Sequence, residues 1–194
     1  MHPYSLDTDE RKNVLLILAI ASIILSWGFY KIFNEYKITL PWWVESPSIL
    51  FFYGILFVAF DKWAWKFFRK FSFIKTPNLN GEWDGYLKTS FDEHSSEMKA
   101  NLKIFQTWTK IKIILTTEQS LSYSETASLV IEAPEGKYLN YQYVNEPKSA
   151  AVKTMSIHKG TARLLFNEKE NTLTGEYYSG RDRQNFGSLN FKRD

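Results

Sequence analysis

Two apolar segments in the first third constrain this chain most, because long uncharged runs must be buried in a membrane or a core. The first, residues 14–30, is interrupted only by two serines and a glycine and is about as long as a transmembrane helix. The second starts at Ser46-Pro47, a favourable helix start, and carries no charge from Ile49 to Phe60. The sequence therefore predicts two membrane spans, at residues 14–30 and 47–66.

The residues flanking these spans predict their orientation. Residues 31–45 connect them and contain Trp42-Trp43, a pair suited to the headgroup region. Basic residues concentrate before the first span and between residues 62 and 75. The positive-inside rule then places both termini in the cytoplasm and the Trp pair outside. A cleaved signal peptide is the competing interpretation, and it is disfavoured because the small-residue motif at 19–21 lies inside the apolar run.

Small and charged residues within the spans are candidates for membrane function. Ala19, Ser22 and Ser26 share one helical face, where small side chains allow close helix approach, although small residues are also common in spans generally. Asp61 lies roughly 21 Å from Pro47 along a helix, short of the ~30 Å hydrocarbon thickness. We expect it either to admit water when several hairpins cluster or simply to mark the inner interface.

The periodicity changes from helical to alternating after the turn-like residues 76–80. Gly81 opens a segment with an apolar and a polar face, and seven similar segments follow, separated by turn residues, at about 97–106, 110–116, 122–131, 138–144, 161–167, 172–178 and 186–192. About eight antiparallel strands suffice to close a small barrel. The chain is thus predicted to be a membrane protein with a helical hairpin at 1–75 and an all-β, calycin-like up-and-down barrel at 78–194.

Catalytic signatures are missing from the sequence. It has no cysteine, no Gly-rich phosphate loop, no nucleophile elbow and no paired-histidine zinc motif, and its three histidines are far apart. These features predict neither an enzyme nor a metal site nor a resident cofactor. The formal net charge of +3 argues against DNA or RNA as a partner.

A barrel of this size can hold one small ligand between aromatic and polar side chains. Arg163 would need an anionic partner such as a phosphate if it faces inward, and the outward alternative stays open. Only about half of any strand can face inward. The candidate ligand-binding residues are Trp83, Tyr86, Thr107, Trp108, Asn140, Tyr141, Arg163, Tyr177, Arg181 and Arg183.

The strand opening at residues 79–86, with Gly81-x-Trp83-x-Gly85, follows two spans and a basic aromatic linker. This arrangement resembles the two-transmembrane β-barrel effectors of CBASS, a bacterial anti-phage system that signals through cyclic oligonucleotides. The resemblance implies a cytoplasmic barrel that binds a cyclic dinucleotide made by a partner nucleotidyltransferase, the CD-NTase. It also implies ligand-driven self-association and disruption of the inner membrane bilayer, which kills the infected cell.

Two alternatives remain at this point. The barrel could hold a lipid or another apolar ligand, or it could be filled by side chains and act as a structural adaptor. The polarity of the lumen distinguishes the first alternative from nucleotide binding. Inward-facing Asn140, Gln142 and Arg163 would favour a nucleotide. Inward-facing Leu139, Tyr141 and Leu165 would favour a lipid.

Overall fold

The computed structural model describes residues 1–37, 49–152, 155–180 and 184–193. The chain forms two compact units, one made of Met1–Asp7 with Thr76–Asp194 and the other of Thr8–Lys75. The sequence predicts a hairpin over residues 1–75. The structure differs for the first seven residues, because they belong to the same unit as Thr76–Asp194 and pair with strands of that segment.

The helical unit contains one long and one composite helix. Helix α1 runs from Glu10 to Glu35, longer than the predicted span, and has both the length and the apolar composition of a membrane span. After the connection come α2 (Ile49–Ala59), a π-helical turn (Phe60–Ala64) and α3 (Trp65–Lys70). The predicted Trp pair of the connection lies outside the described residues.

The two helical segments pack through a narrow stripe of α1. Val14, Leu18 and Ser22, spaced four residues apart, are buried, and Ser22 Oγ donates to the Leu18 carbonyl over 2.6 Å. The rings of Phe29 and Phe52 meet edge to face, with their centroids 5.8 Å apart. Small and apolar side chains therefore hold the hairpin together along one face of α1.

The second unit is an eight-stranded antiparallel barrel, as the alternating segments predict. Sequence neighbours pair throughout, and β10 closes onto β3 through six residue pairs. The barrel strands follow two short strands, β1 (His2–Pro3) and β2 (Ser5–Leu6). They are β3 (Gly81–Thr89), β4 (Met98–Gln106), β5 (Lys110–Thr117), β6 (Ser120–Val130), β7 (Lys137–Pro147), β8 (His158–Asn167), β9 (Thr172–Ser179) and β10 (Phe186–Lys192).

The seam between β5 and β6 is incomplete. These strands pair directly at three positions, which are Ile114 with Tyr123, Leu115 with Ser122 and Thr116 with Leu121. Beyond them the strands separate, and residues 2–7, which we call the strap, lie in the gap. Within the strap, β1 runs antiparallel to β5 and β2 runs parallel to β6.

A β-bulge in β6 reverses which side chains face the lumen. Before the bulge the even-numbered residues are buried, among them Ser122 and Ser124. The register shifts between Ser124 and Thr126, and afterwards the odd-numbered Leu129 is buried in the core. An inserted residue moves every later side chain to the opposite face, so the same strand is polar inside at one end and apolar at the other.

The apolar end of the barrel is filled. Trp83 is fully buried, and its indole Nε1 donates to the Leu79 carbonyl over 3.0 Å. Gln106, also buried, accepts from the Leu79 amide over 2.8 Å and donates to the Pro77 carbonyl over 3.0 Å. The Arg193 guanidinium lies 4.4 Å from the centre of the Trp83 ring. We refer to this plugged region as the closed end.

Candidate functional site

The opposite end of the barrel contains a cavity of about 320 Å³. It lies where β3, β5, β7 and β9 end and where β4, β6, β8 and β10 begin. Leu87, Met98, Leu115 and Leu189 supply its apolar floor. Its buried polar lining consists of Thr117, Ser120, Ser122, Asn145 and His158.

Serine and asparagine side chains on neighbouring strands form a hydrogen-bonded pair in this lining. Ser122 of β6 lies opposite Asn145 of β7, and its hydroxyl donates to Asn145 Oδ1 over 2.7 Å. The Asn145 amide nitrogen approaches the Met155 sulfur at 3.2 Å, and sulfur is a weak acceptor. The amide group therefore retains hydrogen-bonding capacity that a polar ligand can use.

His158 presents one ring nitrogen to the cavity. Its Nδ1 lies 2.9 Å from the carbonyl oxygen of Ser156, and a carbonyl can only accept, so Nδ1 carries a hydrogen. In the neutral ring the other nitrogen, Nε2, is then a hydrogen-bond acceptor, and the ring is part of the cavity lining.

Two tyrosines line the cavity wall beside glycines on the next strand. Tyr143 pairs with Gly160, and Tyr177 pairs with Gly187. A Cβ atom at residue 160 would lie 2.4 Å from the Tyr143 ring, and one at residue 187 would lie 2.7 Å from the Tyr177 ring. Because each glycine lacks a side chain, the neighbouring tyrosine ring can lie close to the barrel wall. The cavity beside the ring therefore stays open.

A third tyrosine, Tyr141, is buried in the same lining. Burial raises the pKa of its phenol, and the neighbouring Tyr143 raises it further. At neutral pH the Tyr141 hydroxyl is therefore uncharged and can donate a hydrogen bond. Its ring centroid lies 6.1 Å from that of Tyr143.

Among the described residues that line the cavity there is no lysine or arginine. A described cation at the rim is Lys148, whose ammonium group donates to the carbonyl of the lining residue Thr117 over 2.6 Å. Hydroxyl, amide and imidazole groups therefore supply the polar contacts inside, and positive charge comes from the edge. Nor do the described residues bring together three His, Asp or Glu side chains as a metal site would require.

The structure separates the ten predicted ligand-binding residues into four groups. Tyr141 and Tyr177 line the cavity. Trp83, Thr107 and Trp108 belong to the closed end, where Trp83 and Trp108 are fully buried and Thr107 Oγ1 accepts from the Lys110 amide within a turn. Tyr86, Asn140 and Arg163 lie on the outer surface. Arg181 and Arg183 lie outside the described residues.

The outward residues have partners on the barrel exterior. Tyr86 accepts from Asn190 Nδ2 over 3.2 Å, and Asn140 donates to Ser128 Oγ over 3.4 Å. The Arg163 guanidinium lies 4.2 Å from the centre of the Tyr138 ring. Of the two alternatives left open for Arg163, the structure therefore shows the outward one, because strand alternation turns Arg163 away from the lumen.

The side chains named from the sequence as indicators of the polarity of the lumen do not include the buried polar ones. Leu139 and Tyr141 face inward, whereas Asn140, Gln142, Arg163 and Leu165 do not. By those indicators alone the lumen would be suited to a lipid. The buried polar groups come instead from Ser120, Ser122, Asn145 and His158, which the sequence argument missed. The alternating serines of β6 were the available signal, but alternating polar residues are normally assigned to the solvent face.

The membrane candidates lie within the helical unit. Ser22 is fully buried in the hairpin, and Ala19 and Ser26 are partly buried. Asp61 is in the π-helical turn, a kind of helix irregularity that often occurs at functional sites. It comes twelve residues after Ile49, or about 18 Å along the helix.

Comparison with known proteins identifies both parts of the chain. The family model described as "Cap15, TM helices" matches residues 12–66, and the model described as "Cap15, cyclic dinucleotide receptor domain" matches residues 74–193. A protein of Yersinia aleksiciae, CD-NTase-associated protein 15, is 34% identical over 140 residues, which are 71% of this chain and 65% of that protein. A CD-NTase-associated protein 15 of Staphylococcus schleiferi is 34% identical over 132 residues, 68% of each chain. The match thus spans about two thirds of these relatives.

Proposed function

Since this chain belongs to the Cap15 family, which combines transmembrane helices with a cyclic dinucleotide receptor domain, we propose that it is a CBASS effector. A cyclic dinucleotide, made by a partner CD-NTase on phage infection, binds in the barrel cavity. The family predicted from the Gly81-x-Trp83-x-Gly85 opening and the two spans is confirmed. The steps from ligand binding to membrane damage are our proposal.

The single observation that carries this proposal is the composition of the cavity. Tyrosine rings offer stacking faces for bases, and buried hydroxyl, amide and imidazole groups offer hydrogen bonds to base edges and phosphate oxygens. Lys148 at the rim supplies positive charge for a dianionic ligand. We propose that Arg181 and Arg183 add to this charge, since their chain neighbours Ser179 and Asn185 line the cavity.

The connectivity supports a hairpin with both termini in the cytoplasm. The strap belongs to the same barrel as residues 76–194, which supports a topology with both termini on one side of the membrane. Basic residues follow the second helical segment and favour the cytoplasm of the bacterial cell for that side. The inner membrane is therefore the proposed location.

We propose that ligand binding causes the protein to oligomerise and that clustered hairpins disrupt the bilayer. The α1 face turned away from α2 is apolar and exposed, with Leu16, Ile20, Ile24 and Trp27 among its residues, and it can contact lipid or another hairpin. Asp61 lies well short of the ~30 Å hydrocarbon thickness, as measured from Ile49. A ring of such carboxylates would bring water into the bilayer.

The test uses the full chain reconstituted in liposomes that contain a self-quenched dye. A panel of c-di-AMP, c-di-GMP, cyclic GMP–AMP and cyclic UMP–AMP is titrated, while binding is measured by calorimetry and leakage by fluorescence. We expect at least one member to bind and to release dye. Asn145→Ala should weaken binding by about tenfold, because it removes a buried hydrogen-bonding group.

The matched control is Gln142→Ala, which deletes an amide from the same strand on its exposed face. It should leave both readouts unchanged. Absence of binding by every member would reject the receptor proposal, whereas binding without leakage would reject the membrane step alone. Equal effects of the two substitutions would reject the assignment of the cavity.

A lipid or another apolar ligand is the alternative. A lipid pocket would be lined by hydrocarbon. Here an acyl chain would face the Asn145 amide, whose nitrogen approaches the weakly accepting Met155 sulfur, and hydrocarbon cannot supply a better hydrogen bond. The lining therefore favours a polar ligand.

A further inference from the structure

The strap fills the weakest seam of the barrel. The other seven seams each have at least six residue pairs, whereas β5 and β6 share three. The strap supplies the missing pairing, His2 opposite Ile111 on one side and Leu6 opposite Leu129 on the other. The gap between β5 and β6 is thus a strand-binding site, and its occupant is a segment of the same chain.

Side chains hold the strap at three separate points. His2 Nε2 lies 2.7 Å from Ser124 Oγ, which also accepts from the Ile113 amide over 2.9 Å. Tyr4 is only 3% exposed, and its hydroxyl donates to the Trp108 carbonyl over 2.7 Å. The Asp7 carboxylate accepts from the amides of Ile131 and Glu132 over 2.8 to 3.0 Å. Such anchors indicate a specific fit.

The cavity and the strap share one wall. Leu115 and Ser122, the middle pair of the three that join β5 to β6, both line the cavity. Two residues further along β6, Ser124 binds the strap. Movement of this junction therefore changes the cavity and the strap site together.

The strap is also joined directly to the membrane unit. Only Thr8 and Asp9 separate Asp7 from Glu10, the first residue of α1. The three Cα–Cα steps from Asp7 to Glu10 span at most about 11 Å, so the strap cannot leave its site without changing the constraint on α1. Neither matched segment, residues 12–66 or residues 74–193, includes the strap.

We propose that the strap is the element through which cavity occupancy is transmitted to α1, and that ligand binding releases it. This rests on the proposed function, in which the cavity takes a cyclic dinucleotide. A ligand can shift an equilibrium only towards the state that it binds better, so release requires that the ligand fit the cavity better when the strap is away from its site.

The size of the cavity supports the same direction. At about 320 Å³ it is at the lower end of the roughly 300–1,000 Å³ range of small-molecule pockets, whereas two bases, two sugars and two phosphates make a bulky ligand. Widening the three-pair junction enlarges the cavity and displaces Ser124 from the strap. By thermodynamic linkage, a bound strap must then oppose the ligand.

A reversible covalent lock tests this transmission. The chain contains no cysteine, so a Ser5→Cys/Ser128→Cys pair would be its only thiols. These residues are directly opposite each other on paired strands, where Cα atoms about 4.8 Å apart suit a disulfide. The control pair, Glu176→Cys/Ser188→Cys, links β9 to β10 at exposed positions on a seam that the strap does not touch. Mass spectrometry verifies each disulfide.

Full-length variants are assayed in dye-loaded liposomes with the same four cyclic dinucleotides, before and after reduction. The oxidised strap lock should bind at least tenfold more weakly and leak no more than it does without ligand, and reduction should restore both. The oxidised control should behave as when reduced. A strap lock that leaks equally in both redox states overturns the inference while leaving the proposed function intact. If the reduced protein neither binds nor leaks, the proposed function fails and the inference fails with it.

Discussion

The two ends of the barrel are built from the same eight strands and have opposite contents. At the closed end Trp83, Trp108 and Leu79 are fully buried, and the polar atoms of Gln106 are paired within the protein. At the other end serine, asparagine and histidine side chains surround open space. The difference shows that strand alternation selects which side chains face inward, whereas their size and polarity decide whether that end becomes a core or a binding site.

The largest expected effect comes from emptying the closed end. Trp83→Ala should lower the free energy of unfolding by about 3–5 kcal/mol, since it removes a fully buried aromatic side chain and leaves a cavity. Urea denaturation followed by circular dichroism measures the change. Trp63→Ala, which truncates a tryptophan that is 66% exposed, is the control and should leave barrel unfolding unchanged. A loss below about 1 kcal/mol would show that the closed end is not a structural core.

Narrowing the open end should weaken both binding and stability. Gly160→Ala would place a methyl group against the Tyr143 ring and the Tyr178 carbonyl, pushing the ring into the cavity at a stability cost of about 1–3 kcal/mol. We expect roughly tenfold weaker binding of the cyclic dinucleotide, measured by calorimetry. Adding Tyr143→Ala should relieve the crowding against the ring, although the contact with the Tyr178 carbonyl stays, so the two losses of binding should be less than additive. Additive losses would show that Gly160 does not act through Tyr143.

The smallest effect on stability and binding is expected for a substitution on the outer surface of the barrel, away from both of its ends. Arg163→Ala should reduce stability by about 1 kcal/mol or less, the usual range for an exposed cation beside an aromatic ring. Binding affinity should stay within about twofold of the wild-type value, because the guanidinium lies on the outer surface. Calorimetry and urea denaturation measure the two quantities. A large loss of affinity would mean that ligand binds on the barrel exterior and would undermine the contrast between its two ends.

Much of the fold can be predicted from local patterns. The length of the apolar runs predicts the helices, and the alternation of apolar and polar residues between turns predicts the eight strands. Both patterns repeat along the whole element, so they can be recognised from local sequence. The bulge in β6 is different. Nothing in the residues around Glu125 announces that the inward face changes there, so the polar cavity could not be assigned to Ser120 and Ser122.

The sequence patterns do not predict the strap either, for a different reason. His2 and Ser124 are 122 residues apart, and strands of two residues show no periodicity. Similarly, the contact of Lys148 with Thr117 joins residues that are 31 positions apart in the sequence. Such features depend on tertiary structure, and local sequence does not encode them.

The position of the strap also fixes an order of events during biosynthesis. Residues 2–7 are synthesised before both hydrophobic helices, whereas their partners in β5 and β6 are synthesised after them. Long-range pairing of this kind is slow to form, so the segment stays unpaired until the strands of the barrel are available. The seam can be completed only if residues 2–7 and strands β5 and β6 end up on the same side of a membrane.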